Sequence, residues 1–137
     1  MLIITTFILF ISAVFDMKNR KIPNVLIILL LLTGVLSIKL HGELSLKLLG
    51  LLFPSVLLLI PYHFNKTGAG DIKLFAATGL ILGLYLNIIV FVISLVLALV
   101  YSILCMVFKK SGPTSLPFAP FVSIAFLILI LSTHFFS

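Results

Sequence analysis

The chain has 137 residues, 63% of them hydrophobic and only 9% charged. A soluble core of this size does not need that much apolar surface, so the surplus must face lipid, and no length is left over for a separate soluble domain. The net charge of +6 could suggest nucleic acid, but the basic residues sit in short clusters between apolar runs, as topology signals do, and not in a stripe with interleaved aromatics.

The apolar runs predict an all-α, polytopic membrane protein with about six transmembrane helices of about 14–21 residues each. The first covers about residues 1–15. It lacks the basic n-region and the small-residue cleavage site of a signal peptide, so it is read as a span. A polar turn follows, and Pro23 closes it and opens a second helix at about residues 24–38. Proline is tolerated in a first helical turn because the N–H it lacks has no partner there. Lys39-Leu40-His41-Gly42-Glu43 reads as a short loop. The third helix runs over about residues 46–62, with a kink expected at Pro54. The loop 62–70 leads into a fourth helix at about 71–84. The chain then turns around Tyr85-Leu86-Asn87, where Asn87 is the one strongly polar residue. A fifth helix reaches about residue 108, a basic loop occupies 109–115, and the last helix runs from about Pro117 to about residue 136.

If the chain crosses at each helix, Lys18, Arg20, Lys21, Lys66, Lys73, Lys109 and Lys110 share one membrane face, and Lys39 and Lys47 share the other. This seven-to-two division makes the first face cytoplasmic and puts both chain ends outside. Asp16 and Asp71, the only aspartates, are separated by two crossings and return to that same face. Helices one and four are short for a full span, so their polar ends fall below headgroup level, where they need protein or a water-filled cavity around them. The fourth helix is also small-sided, with Ala76, Ala77 and a Gly-x-x-x-Gly spacing at Gly79 and Gly83. That spacing reads as close helix packing, which would hold Asp71 rigidly.

Each aspartate has a plain structural reading. Asp71 follows Gly-Ala-Gly and suits a helix N-cap, and Asp16 suits an ion pair with Lys18, Arg20 or Lys21. The pair also has a chemical one. An acid at a membrane segment is expensive and marks a functional site by default. Two carboxylates a few ångströms apart cannot both ionise cheaply, so they hold one proton between them. The ionised member takes a proton from water, and the protonated member donates to a carbonyl oxygen, as in aspartic proteases. Gly68 and Gly70 remove side-chain bulk, so a peptide backbone can approach Asp71.

Gly68-Ala69-Gly70-Asp71 resembles the Gly-x-Gly-Asp motif of the intramembrane aspartic proteases, and Ile72-Lys73-Leu74 after it is similar to the type IV prepilin peptidases. Asp16 followed by Ile22-Pro23-Asn24 resembles a second signature of that family, and Pro117-Phe118-Ala119-Pro120 resembles its Pro-Phe-x-Pro segment before the last helix. The three segments in this order span nearly the whole chain. The resemblance implies a single membrane-embedded aspartic peptidase domain that removes the basic leader of type IV pilin-like precursors, with Asp16 and Asp71 as the dyad. It also implies that Gly68, Gly70, Lys73, Pro23, Asn24, Pro117 and Pro120 bind substrate or shape the site. No cofactor or metal is implied. The larger bacterial members also methylate the new N-terminus and carry two Cys-x-x-Cys pairs. This chain has no long loop between helices one and two and only one cysteine, and so resembles the small peptidase-only members that serve tight-adherence pili or archaeal filaments.

The other candidates read as less functional. Cys105 permits no intrachain disulfide and reads as a small core hydrophobe. His41, His63 and His134 are too dispersed for a metal site, and Glu43 lies on the outer face. Lys73 is two residues from Asp71 and so off its helix face. Lys18 and Arg20 suit contact with substrate or with lipid phosphates, the lipid reading being preferred. The partners expected are therefore a pilin-like precursor and the bilayer, with the oligomeric state left open. Paired acids also suit proton or cation coupling in a transporter, against which no internal repeat is visible. A non-catalytic subunit of a secretion machine is a further alternative.

Overall fold

The computed structural model describes residues 1–41, 43–64, 68–108 and 116–135, the side chains of Leu40 and His41 excepted. Among these residues the fold is all-helical: α1 Leu2–Asn19, α2 Asn24–His41, α3 Leu44–His63, α4 Ala69–Leu82, α5 Leu84–Val107 and α6 Ala119–Phe135. The expected basic loop 109–115, with Lys109 and Lys110, lies outside the described residues, as do Gly42, Lys66 and the chain end at 136–137. α1, α3 and α5 are long and apolar enough to cross a membrane, and α2 and α6 are shorter apolar helices. Their outward faces are hydrophobic, for example Ile3 at 83% and Phe7 at 67% exposure on α1 and Leu99 at 60% on α5. This is the surface of a polytopic membrane protein.

α4 is the inner helix. It has 14 residues, of which Asp71, Leu74, Phe75, Ala77, Thr78, Gly79, Leu80 and Ile81 are buried. At 1.5 Å per residue it is about 21 Å long, less than the roughly 30 Å hydrocarbon layer. α2, α3 and α5 pack around it, while α6 lies against α1 and α5 and closes the bundle. Phe75 is the centrepiece, stacked edge-on against Phe91 of α5 at 5.1 Å and against Phe118 ahead of α6 at 6.0 Å.

In lipid, apolar contact alone drives helices together weakly, and small residues and polar bonds take over. A Cβ built on Gly79 of α4 would collide with the Gly50 carbonyl of α3, and one on Gly50 would lie 2.6 Å from the Gly83 carbonyl carbon. The Gly-x-x-x-Gly spacing is therefore a crossing point where the α3 and α4 backbones touch. Asn87, fully buried, fastens it. Its amide nitrogen donates to Gly50 O (2.9 Å) and Phe75 O (3.2 Å), and its amide oxygen accepts from Thr78 Oγ1 (3.0 Å).

This corrects the turn expected at Tyr85-Leu86-Asn87. The break between α4 and α5 is the single residue Gly83, at φ 83° and ψ 178°, and Asn87 lies in the first turn of α5. Asn87 is polar because it bonds three helices in the interior, not because it meets water. Three further expectations shift. α1 continues past Phe15 to Asn19, which puts Asp16 inside a helix. Lys47, counted with the charges of the outer face, is buried in α3, and its Nζ donates to Ser37 Oγ of α2, which in turn donates to Ile81 O at the end of α4 (3.2 Å). Cys105 is half-buried beside Tyr101, Leu104 and Phe108 on α5, outside the core. α3 contains Pro54, as expected, and also Pro61.

Candidate active site

The end of α1, the start of α2, the start of α4 and the segment ahead of α6 all meet at one end of the bundle, around a cavity of about 500 Å³. Asp16, Arg20, Lys21, Ile22, Asn24, Gly68, Ala69, Gly70, Asp71, Lys73, Leu116 and Pro117 line it. Asp16 sits in the last turns of α1 and is 6% exposed; Asp71 is the third residue of α4 and is 8% exposed. Two carboxylates more than fifty residues apart in sequence thus line one open cavity.

Each carboxylate is held by a backbone N–H. Asp16 Oδ2 accepts from Ala119 N–H at 3.1 Å. Ala119 opens α6, where the first N–H groups have no partner within the helix and the helix dipole favours an anion. Pro120 next to it has no N–H, and Phe121 N–H goes back to Phe118 O at 3.1 Å. Phe118 packs on Phe75 and Phe121, so the aromatic pins the segment that presents the Ala119 N–H. The ion pair considered for Asp16 is thus replaced by a bond to a helix start. Asp71 Oδ2 accepts from Gly68 N–H at 3.3 Å, while Asp71 N–H donates to Gly68 O at 3.1 Å. The capping reading of Asp71 is corrected in position: Gly68 is the N-cap, and Asp71 serves the cap from the third helical residue.

The glycines make no steric demand of the fold here. Gly68 has an ordinary extended backbone (φ −83°, ψ 149°), and a Cβ on it would come no closer than 3.6 Å to Asp71 Oδ2. A Cβ on Gly70 would meet Ile22 at 3.5 Å, an ordinary contact.

Of the residues singled out in the sequence, the structure gathers Asp16, Asp71, Gly68, Gly70, Lys73, Asn24 and Pro117 around the cavity. Pro23 and Pro120 stand behind it, at the start of α2 and in the first turn of α6. Lys73 departs from the spacing argument. Although off the Asp71 face, its long side chain reaches across the mouth to Asn24 Oδ1 at 3.5 Å, joining the starts of α4 and α2.

Sequence reasoning missed the Ala119 N–H and the inward reach of Arg20, Lys21 and Ile22. Arg20 caps α1 in the left-handed region, at φ 52° and ψ 27°, with its N–H on Asp16 O at 2.8 Å. No residue-level signal foretells that, since glycine or asparagine is the usual occupant of such a position. Among the described residues, no three of the His, Cys, Asp and Glu side chains form a group able to hold a metal ion.

The family model described as the type IV leader peptidase family matches residues 3–103 of this chain, which covers α1 to most of α5 and both aspartates. No curated protein and no solved structure matches it.

Proposed function

This chain belongs to the type IV leader peptidase family and is a membrane protease of that kind; we propose that it is an aspartic endopeptidase whose dyad is Asp16 and Asp71. The observation that carries the reading is the convergence of these two buried carboxylates, from α1 and α4, on one cavity. One carboxylate takes a proton from water as the water oxygen bonds to the scissile carbonyl carbon. The other gives its proton to the carbonyl oxygen. When the tetrahedral species collapses, the C–N bond breaks and the leaving amine takes up a proton from the dyad.

The Ala119 N–H holds Oδ2 of Asp16 and the Gly68 N–H holds Oδ2 of Asp71, which orients both carboxylates in the cavity. Because the fold itself does not need glycine at 68 or 70, the room beside Asp71 is available to an extended peptide. The substrate in this reading is a type IV pilin-like precursor with a basic leader. The cavity end of the bundle faces the cytoplasm of the cell membrane. In support, Lys18, Arg20, Lys21 and Lys73 lie exposed at that end, against Lys39 at the other.

Cleavage of a precursor by the purified protein, measured per folded molecule, tests the dyad. Asp16→Asn and Asp71→Asn should each abolish it at normal abundance in the membrane. The double variant should be no worse than either, because residues acting as a unit are strongly non-additive. Asparagine still accepts the Gly68 N–H, so a purely capping Asp71 would tolerate the change. Near-normal turnover in either variant removes that residue from the dyad.

A further inference from the structure

The carboxylates account for only part of the cavity. Its mouth is cationic, and three basic groups reach it from different places: Arg20 from the cap of α1, Lys21 from the turn after it and Lys73 from α4. All three are solvent-exposed. Among the described residues, Lys73 makes one long contact, 3.5 Å, to the neutral amide oxygen of Asn24. Arg20 lines the cavity from a left-handed backbone that non-glycine residues rarely adopt. A peptidase site has no evident use for three cations converging beside its acids unless an anion sits among them.

The surroundings say which anion. The turn holding Arg20 and Lys21 is flanked by exposed apolar residues, Phe15 (40%) and Met17 (66%) before it and Val25 (66%) and Ile28 (55%) after it. These belong to α1 and α2, so the cations stand where an apolar, lipid-facing surface ends. A phosphate held there has hydrocarbon beside it. We infer that Arg20, Lys21 and Lys73 form a subsite for the phosphate of an anionic phospholipid at the mouth of the cavity. Arginine offers a planar fork to phosphate oxygens, and the two lysines add point charges. The bound headgroup offsets part of the positive charge and thereby weakens the repulsion that the bare mouth exerts on a basic peptide. This last role rests on the peptidase reading; the binding itself does not.

The binding is tested directly by native mass spectrometry of the full chain, purified from phosphatidylcholine vesicles with and without phosphatidylglycerol. Phosphatidylglycerol should be retained in preference to phosphatidylcholine. Each of Arg20→Gln, Lys21→Gln and Lys73→Gln should lower that retention about fivefold, the usual worth of one basic residue at an anionic surface. Lys21→Arg and Lys73→Arg should keep it, and so should Lys39→Gln at the opposite end. Inorganic phosphate should fail to displace the lipid. Equal retention of the two lipids, or displacement by inorganic phosphate, overturns the lipid subsite. So does a charge-neutral variant that keeps its phosphatidylglycerol but loses cleavage, because the cations would then serve the precursor itself. A protein that retains the lipid selectively yet cleaves no precursor in either vesicle supports the subsite and refutes the peptidase reading.

Discussion

A buried carboxylate in a membrane protein is tolerated only with hydrogen-bond donors around it, and here the donors are backbone N–H groups. Backbone donors leave the protonation state free to change during a reaction, where a fixed arginine partner would lock it. With two such acids on one cavity, cleavage should follow a bell-shaped pH profile. At the acid limb both carboxyls carry protons and no base remains. At the alkaline limb both are ionised and no donor remains. A rate that rises to a plateau and never falls would show that only one carboxylate titrates in the reaction. Gly68 and Gly70 give a second prediction at this scale. Their Cβ positions are open within the fold, so Gly68→Ala and Gly70→Ala should leave thermal stability in detergent within about 1 kcal/mol of the parent, or raise it slightly. In the proposed role the added methyl groups occupy peptide space, so cleavage should fall tenfold or more, on the order of 1.4 kcal/mol in transition-state binding.

Helices α3, α4 and α5 are fastened by contacts that sequence periodicity does not display. Gly79 gives up its side chain so that the Gly50 backbone can touch it, and Asn87 satisfies two carbonyls and one hydroxyl at the crossing. Gly79→Ala forces a methyl group into a carbonyl and should cost several kcal/mol, as overpacking with no room to relax does, typically about 1–3 kcal/mol and occasionally more. Asn87→Leu strands the Gly50 carbonyl, at about 1–3 kcal/mol for an unsatisfied group, while the Thr78 hydroxyl keeps its bond to Phe75 O. Both variants should lower the midpoint of thermal unfolding in detergent, whereas Thr33→Ala, which removes only a local bond to Leu30 O in α2, should not. An unchanged midpoint in Asn87→Leu would mean that the three-helix junction carries no stability.

Over the whole molecule, alternation of the helices brings every element of the cavity to one end: the last turns of α1, the first turns of α2 and α4, and the lead into α6. The proposed orientation is tested with single cysteines introduced into a Cys105→Ser background. Asn19→Cys, exposed at the cavity end, should resist an impermeant thiol reagent added to intact cells, and Lys39→Cys at the other end should react. The reverse pattern would place the cavity outside and exclude a substrate that arrives from the cytoplasm.

The sequence by itself determined the class of the fold and the elements of the site. Apolar runs separated by polar or glycine breaks are enough to count six helices. Two aspartates an even number of helices apart are enough to put both at one end of the bundle, where they line one cavity. Both inferences rest on local composition, which water and lipid sort without reference to any partner. Only the tertiary structure decided how the acids are held and how the helices are fastened. The Ala119 N–H is invisible in a sequence because every residue but proline has one, and it becomes a partner for Asp16 only when α6 docks beside α1. Asn87 looks like a turn residue until α3 and α4 supply the carbonyls and the hydroxyl that bury it. Lys47 looks like a topology signal until Ser37 meets it. In each case the polar group takes its partner from a distant segment, and whether such a group faces solvent or the interior is set by packing, not by its neighbours in the chain.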